Sequence, residues 1–279
     1  MTAINQTLSL QTVEGSHERD SARINDSGIE RVPDSIVIER ALEISVEIDD
    51  SDTYPLGVTM RTPGSDTELV LGFLLSEGII QNIHDVKGLS VGDDKGVVSL
   101  AQSSTFDPDV HSRMSTISSS CGVCGRISVD GMLNNPDSAI CDDLKINLDT
   151  VNACIISMKQ HQTLFKFTGG SHATASFTPE GDLERIYEDI GRHNSMDKLV
   201  GSYLSDCNLP ITDRIVVVSG RASFDLVQKA LVAGFPIMVS IGAPSTMAID
   251  MANEHGLTLA CFAKSRSISV FSGTSRIEI

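Results

Sequence analysis

The chain has no tryptophan, only three tyrosines and nine phenylalanines. Rings this scarce argue against a stacking platform for single-stranded nucleic acid. Basic residues are also few: 21 Lys and Arg stand against 37 Asp and Glu, a formal net charge of −16. That balance argues against general binding of polyanions. Long apolar runs are missing, since stretches such as Leu69 to Leu75 are far too short to span a bilayer. The opening MTAINQTLSLQTVEGSHERD has neither a basic n-region nor an apolar h-region, so no signal peptide is expected. These absences together predict a soluble cytoplasmic protein that binds neither nucleic acid nor membrane.

What is present is globular. The 279 residues suit one or two domains with a sizeable core. Apolar residues make up 41%, charged residues 21%, and mean hydropathy is +0.04. The negative charge is unevenly spread. Residues 1–110 hold 20 acids and 7 bases, net −13, and residues 111–279 hold 17 and 14, net −3. The nearly neutral second part can therefore focus local bases on an anionic ligand.

Residues 1–34 are polar and aperiodic, and read as a tail or loose edge segment. From Ser35 to Gly64 apolar residues alternate as in strands, and GVVSLAQ adds a strand further on. Asp66 can cap a helix with Leu69, Val70, Phe73 and Leu74 inward, ending near Gly78. Residues 35–110 thus form a smaller, mixed, strand-rich region. Residues 111–149 are small and polar and read as a long mobile loop. A helix is expected over residues 151–167, then a glycine turn into a strand at TGGSHATASF.

The last third alternates clearly. RIVVVS, PIMVSIG, LTLACFA and SISVFSG read as strands, and residues 223–234 and 245–256 as helices ending in glycine. Such alternation implies βαβ units, a parallel sheet and right-handed crossovers over residues 150–279. Ligands of such sheets bind beyond the carboxyl ends of the strands. Three polar loops should meet there: Ser219, Gly220 and Arg221; Gly242 through Ser245 and Thr246; and Lys264, Ser265 and Arg266. Two of them lead into helix N-termini, whose free N–H groups suit phosphate, and Arg221 and Arg266 can add bidentate contacts. Ordinary capping by Ser223 and Ser245 would explain the same residues without a ligand. EDIGRHNSMDK (188–198) holds more polar groups than a cap needs, with its helix beginning near His193. It reads equally as a salt-bridged helix start. His172, after a glycine pair, fits either a site or a satisfied core position.

Of the six cysteines, Cys141, Cys154, Cys207 and Cys261 are isolated and read as small buried apolar residues. Cys121 and Cys124 form a C-x-x-C within SSSCGVCGR. Three readings stay open for it. Half a zinc site lacks its second half, because the chain has no other C-x-x-C and no paired histidines at ligand spacing. A thioredoxin-like dithiol would open a helix after a strand, whereas this stretch is glycine-rich. A persulfide carrier needs a thiolate on a segment with reach, which the glycines and the nearby Arg126 suit. Zinc-dependent deamination is excluded, because His172-Ala173-Thr174 has threonine where the proton-moving Glu belongs and the C-x-x-C precedes the histidine.

Taken together, LGFLLSEGII, SSSCGVCGR, TGGSHATA, EDIGRHNSMDKLVG, SGRASFDLVQKA, GAPST and GLTLACFAKSR resemble the FdhD/NarQ family of formate dehydrogenase accessory sulfurtransferases, from about residue 35 to the C-terminus. The resemblance implies a cytidine-deaminase-like α/β fold, a parallel or mixed sheet with helices on both faces and no zinc site. It implies a homodimer that takes sulfur from a cysteine desulfurase. It further implies that Cys121 carries the persulfide and Cys124 assists. The acceptor implied is molybdenum or tungsten in a bis(molybdopterin guanine dinucleotide) cofactor bound by the protein, for the benefit of formate dehydrogenase. GDP would mimic part of that cofactor. Phe262, Ala263, Lys264, Ser265, Arg266 and Ser267 match the family's cofactor-binding loop. Lys264 and Ser265 depart from the Arg and Gly expected there, and lysine lacks the planar fork. A cofactor chaperone with incidental cysteines and a dithiol oxidoreductase are the alternatives.

Overall fold

The computed structural model describes residues 13–48, 52–102, 104, 106–108, 144–264 and 266–278. The expected loop over 111–149, apart from its last residues, lies outside the described residues, as do Cys121, Cys124, Cys141 and Ser265.

The chain opens on an antiparallel hairpin of β1 (Ser16–Asn25) and β2 (Gly28–Val37), paired along its whole length. The hairpin falls largely within the stretch read as a tail or loose edge segment, whose residues 1–12 lie outside the described residues. Nearly every hairpin side chain is exposed, with Ile24 and Ile29 both 74% accessible at its tip. A strand without a buried face leaves no period-two apolar signal, so its sequence reads as coil.

A four-stranded sheet follows, in the order β4 (Asp52–Arg61), β3 (Arg40–Ile48), β6 (Lys95–Leu100), β5 (Val86–Val91). Helix α1 (Asp66–Ser76) packs against it. Its N-cap is Ser65, not the expected Asp66. The Asp66 carboxylate instead holds the buried Arg61 guanidinium through two bonds, of 2.9 and 2.8 Å.

The second part is built on a six-stranded sheet. Its order is β13 (Ser267–Ser272), β12 (Thr258–Lys264), β11 (Ile237–Ser240), β10 (Ile215–Val218), β8 (His172–Phe177), β9 (Leu183–Asp189). Strands β10, β11 and β12 are parallel, and the flanking strands pair antiparallel to their neighbours. The sheet is therefore mixed. Alternation sorts its two faces. Ile215, Val217 and Val239 face Val151, Cys154, Ile155 and Met158 of α2 (Leu148–His161). Val216, Val218 and Met238 face α4 (Arg192–Ser205), α5 (Phe224–Ala233) and α6 (Thr246–Glu254). A short helix, α3 (Thr163–Thr168), breaks away from α2 at Gln162, so the single helix expected over 151–167 is two. A small parallel pair, β7 (Ile146–Asn147) with β14 (Ile277–Glu278), lies just before α2 in the chain and at its end.

One apolar core runs from the first sheet through α1 and α4 to the second. Its tightest point is where α1 crosses α4. A Cβ on Gly72 would lie 1.9 Å from the Asp197 carbonyl oxygen, and one on Gly201 1.9 Å from that of Glu68. Only glycine fits at either position.

Candidate functional site

The three loops expected at the carboxyl edge do meet there. The Gly242 N–H donates to the Gly220 carbonyl at 2.9 Å, and the Phe262 N–H to the Gly242 carbonyl at 3.0 Å. Ala222 bridges Pro244, so pairing continues beyond the strands. Gly242 is pressed so closely on Gly220 and Arg221 that a Cβ would come within 2.7 Å of backbone. Ser245 caps α6, accepting from the Ala248 N–H at 3.2 Å. Ser223 occupies the same place before α5, but its hydroxyl is buried with no partner among the described residues and makes no cap bond. In the third loop Phe262 and Arg266 both take positive φ, and the Arg266 N–H donates to Asn152 Oδ1 of α2 at 2.8 Å. Phe262 is 44% exposed.

A groove of about 620 Å³ opens at this edge on the α2 side. It is lined by Lys159, Gln162, Phe165, Lys166, the turn through Gly169, Gly170 and Ser171, and by His172, Ser219 and Ile241. Strand β8 runs antiparallel to β10, and the pairing carried past the strand end sets Ala173 level with Ser219 and His172 against Gly220. The Ser219 hydroxyl oxygen accepts from the Ala173 N–H at 2.8 Å, and its own proton has no acceptor among the described residues. Behind His172, Gly220 and Arg192 close the corner. Burial, then the charges of Arg192 and His193, push His172 below the ordinary histidine value, with Asp189 partly offsetting them. The Arg192 Nε is buried without a hydrogen-bond partner among the described residues. His193 Nε2 lies 3.5 Å from Asp225 Oδ2. Although burial raises the Asp225 carboxyl, His193 holds it below its usual value.

The FdhD/NarQ family profile matches residues 37–278. The chain belongs to this family. It is 39% identical to a sulfur carrier protein FdhD of Streptomyces avermitilis, covering 95% of this chain and 96% of that one. To the protein of the same name from Saccharolobus solfataricus it is 36% identical, over 92% and 96% of the two chains. Among solved structures, a formate dehydrogenase accessory protein from Desulfotalea psychrophila superimposes with a TM-score of 0.73 at 22% identity, covering 94% of this chain and 99% of that one. At that identity the likeness concerns the fold.

Within this FdhD/NarQ member, the structure gathers Ser219, Gly220, Arg221, Gly242, Ser245 and the stretch Phe262, Ala263, Lys264, Arg266, Ser267 at one edge, with His172 and His193 close behind. Among the described residues no three His, Cys, Asp or Glu side chains gather as a metal site. Cys154 and Cys261 are buried as expected, and burial pushes both thiols up to about 12. Cys207 is exposed, against the expectation of burial, at a positive-φ position just past α4. The sequence reading missed Lys159, Gln162, Phe165 and Lys166. They reach the groove because α2 breaks at Gln162, and neither glycine nor proline marks that break.

Proposed function

We propose that this chain is a sulfur carrier that activates formate dehydrogenase, and that Cys121 holds the travelling sulfur. The observation that carries this reading is the family match over residues 37–278, which spans both the C-x-x-C and the cationic carboxyl edge. The names of the relatives support it. In the first step the Cys121 thiolate attacks the outer sulfur of a desulfurase persulfide. A new S–S bond forms on Cys121, and the desulfurase cysteine leaves as thiolate. In the second, a thiolate attacks the inner sulfur of the Cys121 persulfide and expels hydrosulfide to the metal of the bis(molybdopterin guanine dinucleotide) substrate. Cys124 is placed by sequence to make that attack, leaving a Cys121–Cys124 disulfide that supplies the two electrons. Two equivalents of an external thiol then restore the pair by exchange and leave as their own disulfide.

The mixed sheet with helices on both faces supports reading the second part as a cytidine-deaminase-like core put to a use other than deamination. The carboxyl edge offers Arg221, Lys264 and Arg266, all exposed, to the pyrophosphates of the cofactor, and GDP serves as its mimic. A homodimeric, cytoplasmic protein that meets both desulfurase and apo-formate dehydrogenase completes the reading. Replacing Cys121 by Ala tests it. The variant should fail to activate formate dehydrogenase, and mapping after incubation with desulfurase and cysteine should place the persulfide on Cys121 of the parent. Full activation by Cys121→Ala would instead favour a cofactor chaperone.

A further inference from the structure

The outer strands of a sheet present backbone groups that can pair with another chain, and such edges are ordinarily guarded by charge, proline or shortness. Among the described residues all but one edge strand follow that rule. β2 and β4 contain Pro33 and Pro55. β5 carries Lys87, and β1 and β9 carry charges of both signs. β7 and β14 are only two residues long. The exception is β13, the outer strand of the six-stranded sheet beside β12. Its sequence, SISVFS, has no charge and no proline. Phe271 is the extra residue of a bulge against β12, so the regular free edge runs from Ser267 to Val270. Ile268 and Val270 lie half-buried on the α2 face of the sheet and Phe271 on the α6 face, while Ser267 and Ser269 are exposed. Phe262, 44% exposed, lies beside Phe271 with ring centroids 6.2 Å apart and widens the apolar strip.

We propose that β13 pairs antiparallel with β13 of a second copy of this chain, joining the two six-stranded sheets into one about a two-fold axis through Ser269. Charge favours the second copy as occupant. A charged partner strand would bury its charges against an edge that offers none in return, whereas the identical strand brings no charge to bury. The register favours it too. Residues directly opposite in an antiparallel pair share a face of the sheet. An axis through Ser269 therefore sets Ile268 against the partner's Val270 twice over, β-branched on β-branched, with the exposed Ser269 against its own counterpart. Such a contact is isologous and closes on itself, so it yields a dimer rather than a filament. The pairing rests on the homodimer reading above and adds the seam and its register.

Sedimentation velocity on the full chain, parent beside Ser269→Lys, tests the seam. Ser269 is exposed, so circular dichroism of the variant should match the parent, while two like charges now face each other across the axis. The parent should sediment as a dimer, and Ser269→Lys should dissociate roughly tenfold or more readily. Under mild oxidation Ser269→Cys should link two chains through the substituted position, because directly opposite residues lie within disulfide reach. The parent treated alike gives the background from exposed Cys207, which peptide mass mapping separates. A dimer that survives Ser269→Lys and yields no link at position 269 overturns the β13 seam and leaves the homodimer reading standing. Loss of the dimer in Ser269→Lys without the link in Ser269→Cys overturns the axis through Ser269. A parent that is monomeric at every concentration overturns both the seam and the homodimer, and the Cys121 persulfide assay still decides the carrier role.

Discussion

His172 shows how one residue's neighbours set its chemistry. The imidazole lies at the groove wall with burial, Arg192 and His193 all opposing its protonation. It should therefore be neutral at pH 7 and titrate below the ordinary value of 6.5. Removing a positive neighbour favours the protonated form, so Arg192→Ala should move the midpoint upward, read by NMR of the ring protons. A midpoint unchanged by that substitution would contradict the electrostatic account. The thiols give a second residue-scale expectation. Reactivity follows the thiolate, so Cys154 and Cys261, pushed to about 12 and buried, should resist iodoacetamide in the native state. Exposed Cys207 should be alkylated before either, as peptide mass mapping would show. Sequence placed these three thiols alike, because a lone cysteine carries no local sign of its depth. It also paired Ser223 with Ser245 as caps. Only Ser245 bonds its helix, a difference fixed by side-chain rotation that composition does not encode.

At the scale of elements, α1 and α4 touch backbone to backbone through Gly72 and Gly201. Replacing a helical glycine by alanine ordinarily gains about 1 kcal/mol of helix propensity. Here the added methyl meets a carbonyl oxygen that cannot swing aside. Gly72→Ala and Gly201→Ala should therefore each destabilise the protein by roughly 1–3 kcal/mol or more, measured by urea unfolding. A neutral result would mean that the helices slide apart at little cost. The alternating strands and helices of the last third were legible, since Ile215–Val218, Ile237–Ser240 and the helices between them announce burial by apolar runs and end signals. Alternation alone could not show that β13 pairs antiparallel, because strand direction is decided by the short β12–β13 turn. The β1–β2 hairpin escaped detection for want of a buried face, and the Gln162 break for want of a helix breaker.

Across the whole molecule, two buried ion pairs fasten the first part to the second. Asp189 accepts from the Thr62 N–H at 3.1 Å and from Lys198 Nζ at 2.7 Å, while Lys198 also donates to the Thr62 carbonyl. Asp197 accepts from Lys229 Nζ at 2.6 Å and from the Ser76 hydroxyl at 3.1 Å. Burial pushes the Asp197 carboxyl up against the pull of Lys229. Lys229→Ala would strand that carboxylate and should cost about 3–5 kcal/mol. The double variant Asp197→Leu/Lys229→Met should recover most of the loss in the same thermal or urea melt. A single variant as stable as the parent would show that water reaches the pair. The sequence displayed these charges as one dense polar run at 188–198, but which were destined for burial depended on Thr62 and Ser76, more than a hundred residues away. Because the shared core and both pairs cross between the two parts, neither half owns a finished surface. Fragments 1–108 and 109–279 made separately would each bare the α1–α4 seam, so the protein lends itself to split complementation, in which activity returns only when the two pieces meet.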